Sequence, residues 1–159
     1  MFSKYLEYLK MKIRKLLEED ITALAQIRSL EWGTEEYWIN RIEGYLAKVK
    51  NPQGAKSERT ILVLEVENKV VGFIAGHATS RYDCQGELQW INVLHEFQGQ
   101  SLASYLLKEL AKWFVENNIL SVCVNVEPDN ATAIAFYTKN QAQSINEHWM
   151  KWDDISVLL

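Results

Sequence analysis

The sequence of 159 residues predicts an α/β domain in which a mixed sheet packs against helices on its faces. Two apolar runs in the middle of the chain are typical of strands. A later segment changes to a helical period, and a further buried strand follows it. The predicted order is β-α-α-β-β-β-α-β-α-β, with no internal repeat and no boundary that divides the chain.

The first third of the chain predicts one strand and two helices. Residues 12–16 alternate polar and apolar side chains, as a strand does. Asp20 is expected to cap a helix whose apolar stripe runs over residues 21–30. A second amphipathic helix is expected after Thr34, and residues 51–57 predict a loop.

The middle of the chain predicts three strands. Residues 60–67 and 70–78 are rich in apolar side chains and flank Asn68-Lys69, which indicates an antiparallel hairpin. Residues 87–93 predict a third strand after a polar loop.

The last third predicts a long helix, a strand, a short helix and a strand-containing tail. After Gly99, apolar residues recur every four positions, as in an amphipathic helix packed on a sheet. Residues 120–126 predict a buried strand, and residues 131–139 predict a helix after a turn. The tail, residues 145–157, is expected to hold one or two strands.

Composition excludes several classes of protein. The chain has 17 basic and 21 acidic residues, so its net charge of −4 argues against a generally basic nucleic-acid binder. No stretch reaches the roughly 18 apolar residues that span a bilayer. The first residues, MFSKYLEYLK, lack the apolar run of a signal peptide. We therefore predict a cytoplasmic protein that binds neither nucleic acid nor membrane.

The sequence also predicts the bounds of the domain and the state of its two cysteines. Residues 1–10 are predicted as an N-terminal extension, either a short docked helix or a leader, before a single domain over residues 11–159. Cys84 and Cys123 are predicted to be buried thiols. Because neither has a CxxC partner, no metal site is predicted.

The stretch from Ile91 to Leu107 predicts a strand, a short loop and a helix that begins near Ser101. A helix N-terminus carries unpaired N–H groups and a partial positive charge. The small residues around it would let an anionic ligand approach the backbone, as in a phosphate cradle. Taken alone, small residues at a helix start are more often simple caps.

The stretch from Asn125 to Lys139 predicts a strand end followed by a helix that Asn130 caps. Tyr137 lies two turns into this helix. It is either a buried amphipathic ring with its hydroxyl in water or a proton donor that faces a cleft.

Together the two stretches resemble the GNAT family of acetyl-CoA-dependent N-acetyltransferases. The first family pattern, V-x-x-x-[YF]-[RQ]-G-x-G-x-[GA]-x-x-L-L, is matched by VLHEFQGQSLASYLL at residues 93–107. The second, N-x-x-A-x-x-[FL]-Y-x-K-x-G-F, is matched by NATAIAFYTKNQA at residues 130–142. The resemblance covers nearly everything from Met11 onward.

The resemblance implies a GNAT acyl-CoA N-acyltransferase fold, with a mostly antiparallel central sheet of six to seven strands flanked by about four helices. It implies transfer of an acetyl group from acetyl-CoA, as co-substrate, to a primary amine of a small molecule or protein. The amine would attack the thioester directly in a ternary complex. Homodimers are common in the family.

The resemblance also implies roles for individual residues. Tyr137 matches the tyrosine that protonates the leaving thiolate and also contacts the co-substrate. The main chain of the fourth strand would bind the pantetheine arm and polarise the carbonyl, and the amides that follow would hold the diphosphate. The implied co-substrate-binding residues are Ile91, Asn92, Val93, Gln98, Gly99, Gln100, Ser101, Leu102, Ala103, Ser104 and Asn130.

The sequence departs from the family pattern at two places. Ser101 stands at a motif glycine, where its Cβ is expected to narrow the cradle. Gln141-Ala142 replaces the Gly-Phe after the last helix, so the turn there is expected to differ.

Candidates for the remaining chemistry come from residue type and position. Glu87, at the start of the strand that leads into the first motif, is the candidate catalytic base; the alternative is an exposed carboxylate at a strand end. His77 is expected either to line the acceptor cleft or to be an ordinary sheet-face histidine. His95 either flanks the phosphates or lies in solvent.

Acceptor specificity is expected in the region of the first two helices. Trp32, Tyr37 and Trp38 are interleaved there with Glu31, Glu35 and Glu36. Aromatic rings and carboxylates would suit a cationic amine, and Trp32 and Tyr37 are the candidate contacts. The alternative is an aromatic core stripe with solvated acids outside it.

Two other classes of protein fit the same pattern. The first is a non-catalytic acyl-CoA-binding or sensor domain on the same fold, which Ser101 and the missing Gly-Phe turn favour. The second is an interaction module without a ligand.

Overall fold

The computed structural model describes residues 10–99 and 101–159, and in this part of the chain one mixed sheet has helices on both faces. The seven strands lie in the order β1-β2-β3-β4-β5-β7-β6, and only the β4–β5 pair is parallel. The strands are β1 (Met11–Lys15), β2 (Ala55–Val66), β3 (Lys69–Thr79), β4 (Gly86–Val93), β5 (Val122–Asn125), β6 (Gln143–Asn146) and β7 (Trp149–Trp152).

Four α-helices of two or more turns accompany the sheet within the described residues. They are α1 (Ile21–Ser29), α2 (Glu35–Leu46), α3 (Leu102–Glu116) and α4 (Ala131–Lys139). The predicted α/β class, the strand number and the mostly antiparallel sheet are confirmed. The predicted extension over residues 1–10 lies almost wholly outside the described residues. None of the described helices combines the length and the apolarity that crossing a bilayer requires.

Two hydrophobic cores hold the helices on the sheet. The larger core lies under α3, whose Leu106, Leu110 and Phe114 are at most 1% exposed. The smaller core lies under α1 and α2 and is closed by Trp38 and Tyr45. The four-residue spacing that predicted α3 therefore marks the face that packs on the sheet.

Asp20 does not cap α1 as predicted. Its carboxylate accepts a hydrogen bond from the Leu17 amide at 2.7 Å and pairs with Arg14, at 2.7 Å between Oδ2 and Nη1. Arg14 also reaches Glu65 on β2, so the carboxylate ties β1 to the start of α1. The partnership with Arg14 lowers the pKa of Asp20, and this contribution outweighs the opposing effect of burial.

The β2–β3 hairpin turns one residue earlier than predicted. Val66 pairs with Lys69, and the two turn residues are Glu67 and Asn68, both with positive φ. Such a two-residue turn matches the twist of the strands. Strand β2 also begins at Ala55, so it takes up the end of the predicted loop over residues 51–57.

The tail forms both of the strands that the sequence allowed, β6 and β7. The turn after α4 has the positive φ that a glycine usually supplies, with Gln141 at 74°. The Ala142 amide donates to the Tyr137 carbonyl at 2.9 Å and closes the turn. Gln141 therefore adopts the left-handed conformation at the position of the motif glycine, and the turn forms without a glycine.

Replacing Gln141 with glycine is expected to stabilise the protein by a fraction of a kcal/mol, about 0.5–1. The left-handed conformation costs a non-glycine residue roughly 1 kcal/mol, and the greater freedom of glycine in the unfolded chain offsets part of the gain. The free energy of unfolding in urea measures the change. Replacing Ala135 with glycine is the control, because the same flexible residue at an exposed position inside α4 should destabilise the protein.

Both cysteines are buried free thiols, as predicted. Burial raises the pKa of Cys84 and of Cys123, so both stay protonated.

Candidate active site

Strands β4 and β5 separate halfway along and open a slot in the sheet. They pair from Gly86 to Leu88 on β4, after which β5 pairs only with β7. The register between β3 and β4 shifts at the same level, because Ala75 faces Trp90 and Gly76 faces Leu88. Gln89 is the extra residue of this bulge. Beyond Leu88, β4 therefore has a free edge toward the slot.

One cavity, of about 490 Å³, extends from this edge to the N-terminus of α3. Of the predicted co-substrate-binding residues, only Gln100 lies outside the described residues. The others all line the cavity: Ile91, Asn92, Val93, Gln98, Gly99, Ser101, Leu102, Ala103, Ser104, Asn130 and Tyr137. Whether each of them contacts a ligand stays a prediction.

The wall at α3 has the shape of an anion cradle. The first amides of a helix have no carbonyl of the same helix to bind. Gly99 and Ser101 both have positive φ, at 79° and 63°. A Cβ added at Gly99 would meet no heavy atom within 4 Å, so the backbone is open on this side. Ser101 adopts the conformation of the motif glycine at a cost in strain.

One main-chain carbonyl at the end of β4 already accepts a hydrogen bond from a side chain of the protein. The Gln98 side chain donates from Nε2 to the Val93 carbonyl at 2.9 Å. This bond closes the loop between β4 and α3. It also takes up one of the main-chain acceptors that the resemblance assigned to the pantetheine arm.

A second cavity, of about 570 Å³, lies on the other side of the β4 edge, and we call it the acceptor cavity. Residues from α1, α2, β4, β5 and β7 line it. It shares five residues with the first cavity: Glu31, Ile91, Asn130, Ala133 and Tyr137. The two cavities therefore meet beside Tyr137.

Tyr137 is 5% exposed and packs edge-on against Trp152, with 5.9 Å between ring centroids. Burial raises the pKa of its phenol above the ordinary value. The hydroxyl therefore keeps its proton over the physiological pH range. Asn130 caps α4 by accepting from the Ala133 amide at 3.1 Å, as predicted.

Glu87 is 4% exposed and lines the acceptor cavity. The alternative of an exposed strand-end carboxylate is therefore wrong. The cause is the sheet, in which β4 is an inner strand and Glu87 lies between His77 on β3 and Cys123 on β5. Its Oε1 accepts no hydrogen bond from the described residues and lies 3.7 Å from Arg81 Nε.

His77 is fully buried behind Glu87 and is not part of the cavity wall. Its Nε2 lies 3.6 Å from Glu87 Oε1, and its Nδ1 lies 2.9 Å from the Tyr45 hydroxyl. Burial raises the pKa of Tyr45, so the phenol keeps a proton to donate to Nδ1. When the Tyr45 hydroxyl donates to Nδ1, the imidazole has its N–H group at Nε2, on the side that faces Glu87.

Three of the six aromatic residues that line the acceptor cavity have an arginine of the chain over their rings. The Arg28 guanidinium lies 4.3 Å from the Trp38 ring centroid, and Arg81 lies 4.7 Å from that of Trp149. Trp32 and Tyr37 line the cavity and are 55% and 42% exposed. Glu35 and Glu36 do not line it. The expectation of free rings for a cationic amine therefore holds at most for Trp32 and Tyr37.

Sequence reasoning missed three residues of this cavity, Arg28, Arg41 and Arg81. They lie on separate elements, and no local spacing connects them. His95 is exposed and lines neither cavity.

The comparison with protein families agrees with this geometry. The model of the Acetyltransferase (GNAT) family matches residues 17–142. The chain therefore belongs to the GNAT family of acetyltransferases, as the two motifs predicted. Members of this family use acetyl-CoA as co-substrate, and the predicted co-substrate is thereby confirmed.

Solved structures share the fold at low sequence identity. PaiA N-acetyltransferase from Thermoplasma acidophilum, in complex with coenzyme A, is 20% identical and has a TM-score of 0.68, covering 91% of this chain and 98% of its own. Ribosomal-protein-alanine N-acetyltransferase from Brucella melitensis is 19% identical with a TM-score of 0.66, covering 88% and 98%. YncA from Salmonella typhimurium, with its cofactor acetyl-CoA, is 15% identical with a TM-score of 0.65, covering 91% and 95%. No protein of curated function matches the sequence.

Proposed function

We propose that this protein transfers an acetyl group from acetyl-CoA to a primary amine by direct attack in a ternary complex. The observation that carries the proposal is the meeting of the two cavities at Tyr137, with an anion cradle at one end and Glu87 in the other cavity. A thioester placed along the β4 edge would lie between the two side chains.

The residues of the first cavity fit acetyl-CoA, which supplies the activated acetyl group. Amides from Gln98 to Ser104 would hold the diphosphate at the start of α3. The free edge of β4 at Ile91 would bind the pantetheine arm as an added strand. The pantetheine arm can bind the Val93 carbonyl only when the Gln98 side chain releases that oxygen.

Glu87 is the group placed to take the proton from the amine. It lines the acceptor cavity, and its unpaired Oε1 has room for a new hydrogen bond. Behind the carboxylate, His77 Nε2 lies 3.6 Å from Oε1, and Tyr45 contacts the other ring nitrogen of His77. Arg81 Nε lies 3.7 Å from the same oxygen. The amine loses its proton to Glu87, directly or through a water molecule, and attacks the carbonyl.

Tyr137 is the group placed to protonate the leaving thiolate, because its buried phenol stays protonated at the junction of the cavities. Main-chain N–H groups of β4 near the Gln89 bulge would polarise the carbonyl. No covalent intermediate with the enzyme is needed.

The release of free thiol from acetyl-CoA over a panel of amines tests this proposal. Calorimetric binding of coenzyme A is measured in parallel. Binding together with amine-dependent thiol release supports the enzyme. Binding without turnover on any amine would support the sensor domain, which the strained Ser101 favours, and no binding would exclude both.

Replacing Ala103 with leucine is expected to weaken coenzyme A binding about tenfold or more. The added atoms would point into the cradle from the first turn of α3 and crowd the phosphates. Calorimetric titration with coenzyme A measures the loss. The matched control is Ala135→Leu on α4, at an exposed position outside both cavities, which should bind normally. Equal affinity of the two variants would contradict the assigned cradle.

A further inference from the structure

Two arginines of the acceptor cavity have positive charges that the protein itself neutralises incompletely. Arg28 lies on the last turn of α1 and Arg41 on α2. Both line the acceptor cavity, and neither lines the cavity assigned to acetyl-CoA. Each is stacked on a tryptophan, and the rings of Trp38 and Trp90 contact each other edge to face at 6.0 Å.

Arg28 is a buried cation with an unfilled donor. Its side chain is 13% exposed, and its Nη1 donates to Asn92 Oδ1 at 2.9 Å. Its Nε is buried and donates to none of the described residues. The Glu31 carboxylate lies 3.6 Å from Nη1, is 57% exposed, and also accepts from Asn92. Burial lowers the pKa of Arg28, which indicates a charge that its surroundings solvate poorly.

Arg41 adds a second positive charge at the same wall. Its guanidinium lies 5.8 Å from the Trp90 ring centroid. Within residues 10–99 and 101–159 it makes no hydrogen bond and no ion pair. The repulsion between Arg41 and Arg28 contributes to the lowered pKa of Arg28. The two guanidinium groups line the same cavity and lie over two tryptophan rings that contact each other, and the partly solvated carboxylate of Glu31 lies beside Arg28.

The other two carboxylates of the cavity have neighbouring side chains other than Arg28 and Arg41. Glu87 lies beside Arg81 and His77, and Glu127 lies 3.8 Å from His148. Among the described residues that line the cavity, Arg41 is therefore the arginine without a carboxylate within 4 Å. Stacked guanidinium groups present planar forks of donors that suit carboxylate oxygens.

We propose that the acceptor carries a carboxylate on the same molecule as its amine, and that this carboxylate binds between Arg28 and Arg41. The placement of the amine beside Glu87 rests on the proposed function. The carboxylate relieves the repulsion between the two arginines and gives Arg41 the anionic partner that it lacks among the described residues. The acceptor class is therefore an amino acid or a similar amine with an anionic end, rather than a polycation.

Matched series of acceptors test this proposal. Thiol release is measured with ω-amino acids from β-alanine to ε-aminocaproate and with the n-alkylamines of the same chain length. We expect at least one ω-amino acid to have a kcat/KM about tenfold or more above that of its alkylamine, because hydrogen bonds to a charged group are lost in the latter. Equal kcat/KM in both series would overturn the proposal and leave the acetyltransferase activity standing.

Arg41→Gln is the preferred variant, because Arg41 is half-buried and its loss removes no hydrogen bond or ion pair among the described residues. It should raise KM for the preferred ω-amino acid about tenfold and should change the kcat/KM of the matched alkylamine much less, so that the preference is lost. Lys48→Gln removes the same charge at an exposed position outside both cavities and should keep the preference. Equal effects of the two variants would overturn the proposal.

Inhibition of the wild-type protein tests the site without the risk that a variant misfolds. Valerate, which has the carboxylate and no amine, should inhibit competitively with the amine acceptor and not with acetyl-CoA. If no amine of any kind releases thiol, the proposed function fails, and the anion site is decided by calorimetry of ε-aminocaproate on protein saturated with coenzyme A. Binding that Arg41→Gln abolishes would support the site, and absence of binding would overturn it.

Discussion

Replacing Tyr137 with phenylalanine should lower kcat about a hundredfold or more while the affinity for coenzyme A changes less than about twofold. General acid catalysis contributes about 10²–10⁴-fold to a rate. The ring would remain packed against Trp152, and only the hydroxyl at the junction of the cavities would be lost. Burst and steady-state thiol release give kcat, and calorimetry gives the affinity.

The pH dependence of the wild type adds a second test of Tyr137. Burial raises the pKa of this phenol, so the acid form persists to a higher pH than in an ordinary tyrosine. We therefore expect no loss of rate from ionisation of Tyr137 below about pH 10. A fall in kcat at lower alkaline pH that Tyr137→Phe removes would contradict the raised pKa.

Tyr82→Phe is the matched control. Tyr82 is 48% exposed and lines neither of the two joined cavities. It should keep the wild-type kcat. If Tyr137→Phe also keeps it, the leaving thiolate takes its proton from another group, and the acid role of Tyr137 is excluded.

The parts of the site that could be predicted from the sequence are those that depend on local structure. The cradle requires only a loop and a helix start, and both lie within the segment from Gln98 to Ser104. The apolar spacing of α3 and the cap at Asn130 are likewise set by neighbours in the chain.

The acceptor cavity could not be predicted, because its contacts join distant parts of the chain. Arg28 and Asn92 are 64 positions apart and meet only when α1 packs on β4. The burial of Glu87 follows from the place of β4 inside the sheet, which the strand's own sequence does not specify. The interpretation of Asp20 as a helix cap failed for the same reason. Its carboxylate pairs with Arg14 and makes no capping hydrogen bond to the helix.

Replacing Glu87 with glutamine should lower kcat about a hundredfold or more with basic amines, with little change in coenzyme A binding. The amide keeps the size of the side chain but cannot take a proton from the amine. Because Arg81 would lose a charge partner, the free energy of unfolding is measured as well. A loss of activity in a folded variant then reports on catalysis.

Acceptors of different basicity distinguish a catalytic role of Glu87 as the base from a purely structural role. An aromatic amine is already unprotonated at neutral pH, so deprotonation before attack requires no help from Glu87. The loss of rate in Glu87→Gln should therefore shrink with an aniline acceptor, whereas a distorted site would lose rate equally with every amine. A penalty that does not depend on acceptor basicity would exclude Glu87 as the base.

Tyr45→Phe extends this argument to the groups behind the carboxylate. It removes the hydroxyl that lies 2.9 Å from His77 Nδ1 and leaves the ring in the core. If His77 positions Glu87, the variant should lower kcat severalfold and leave KM for acetyl-CoA unchanged, with the same dependence on acceptor basicity. The effect should also vanish in the Glu87→Gln background, because an oriented carboxylate is then no longer present to be lost.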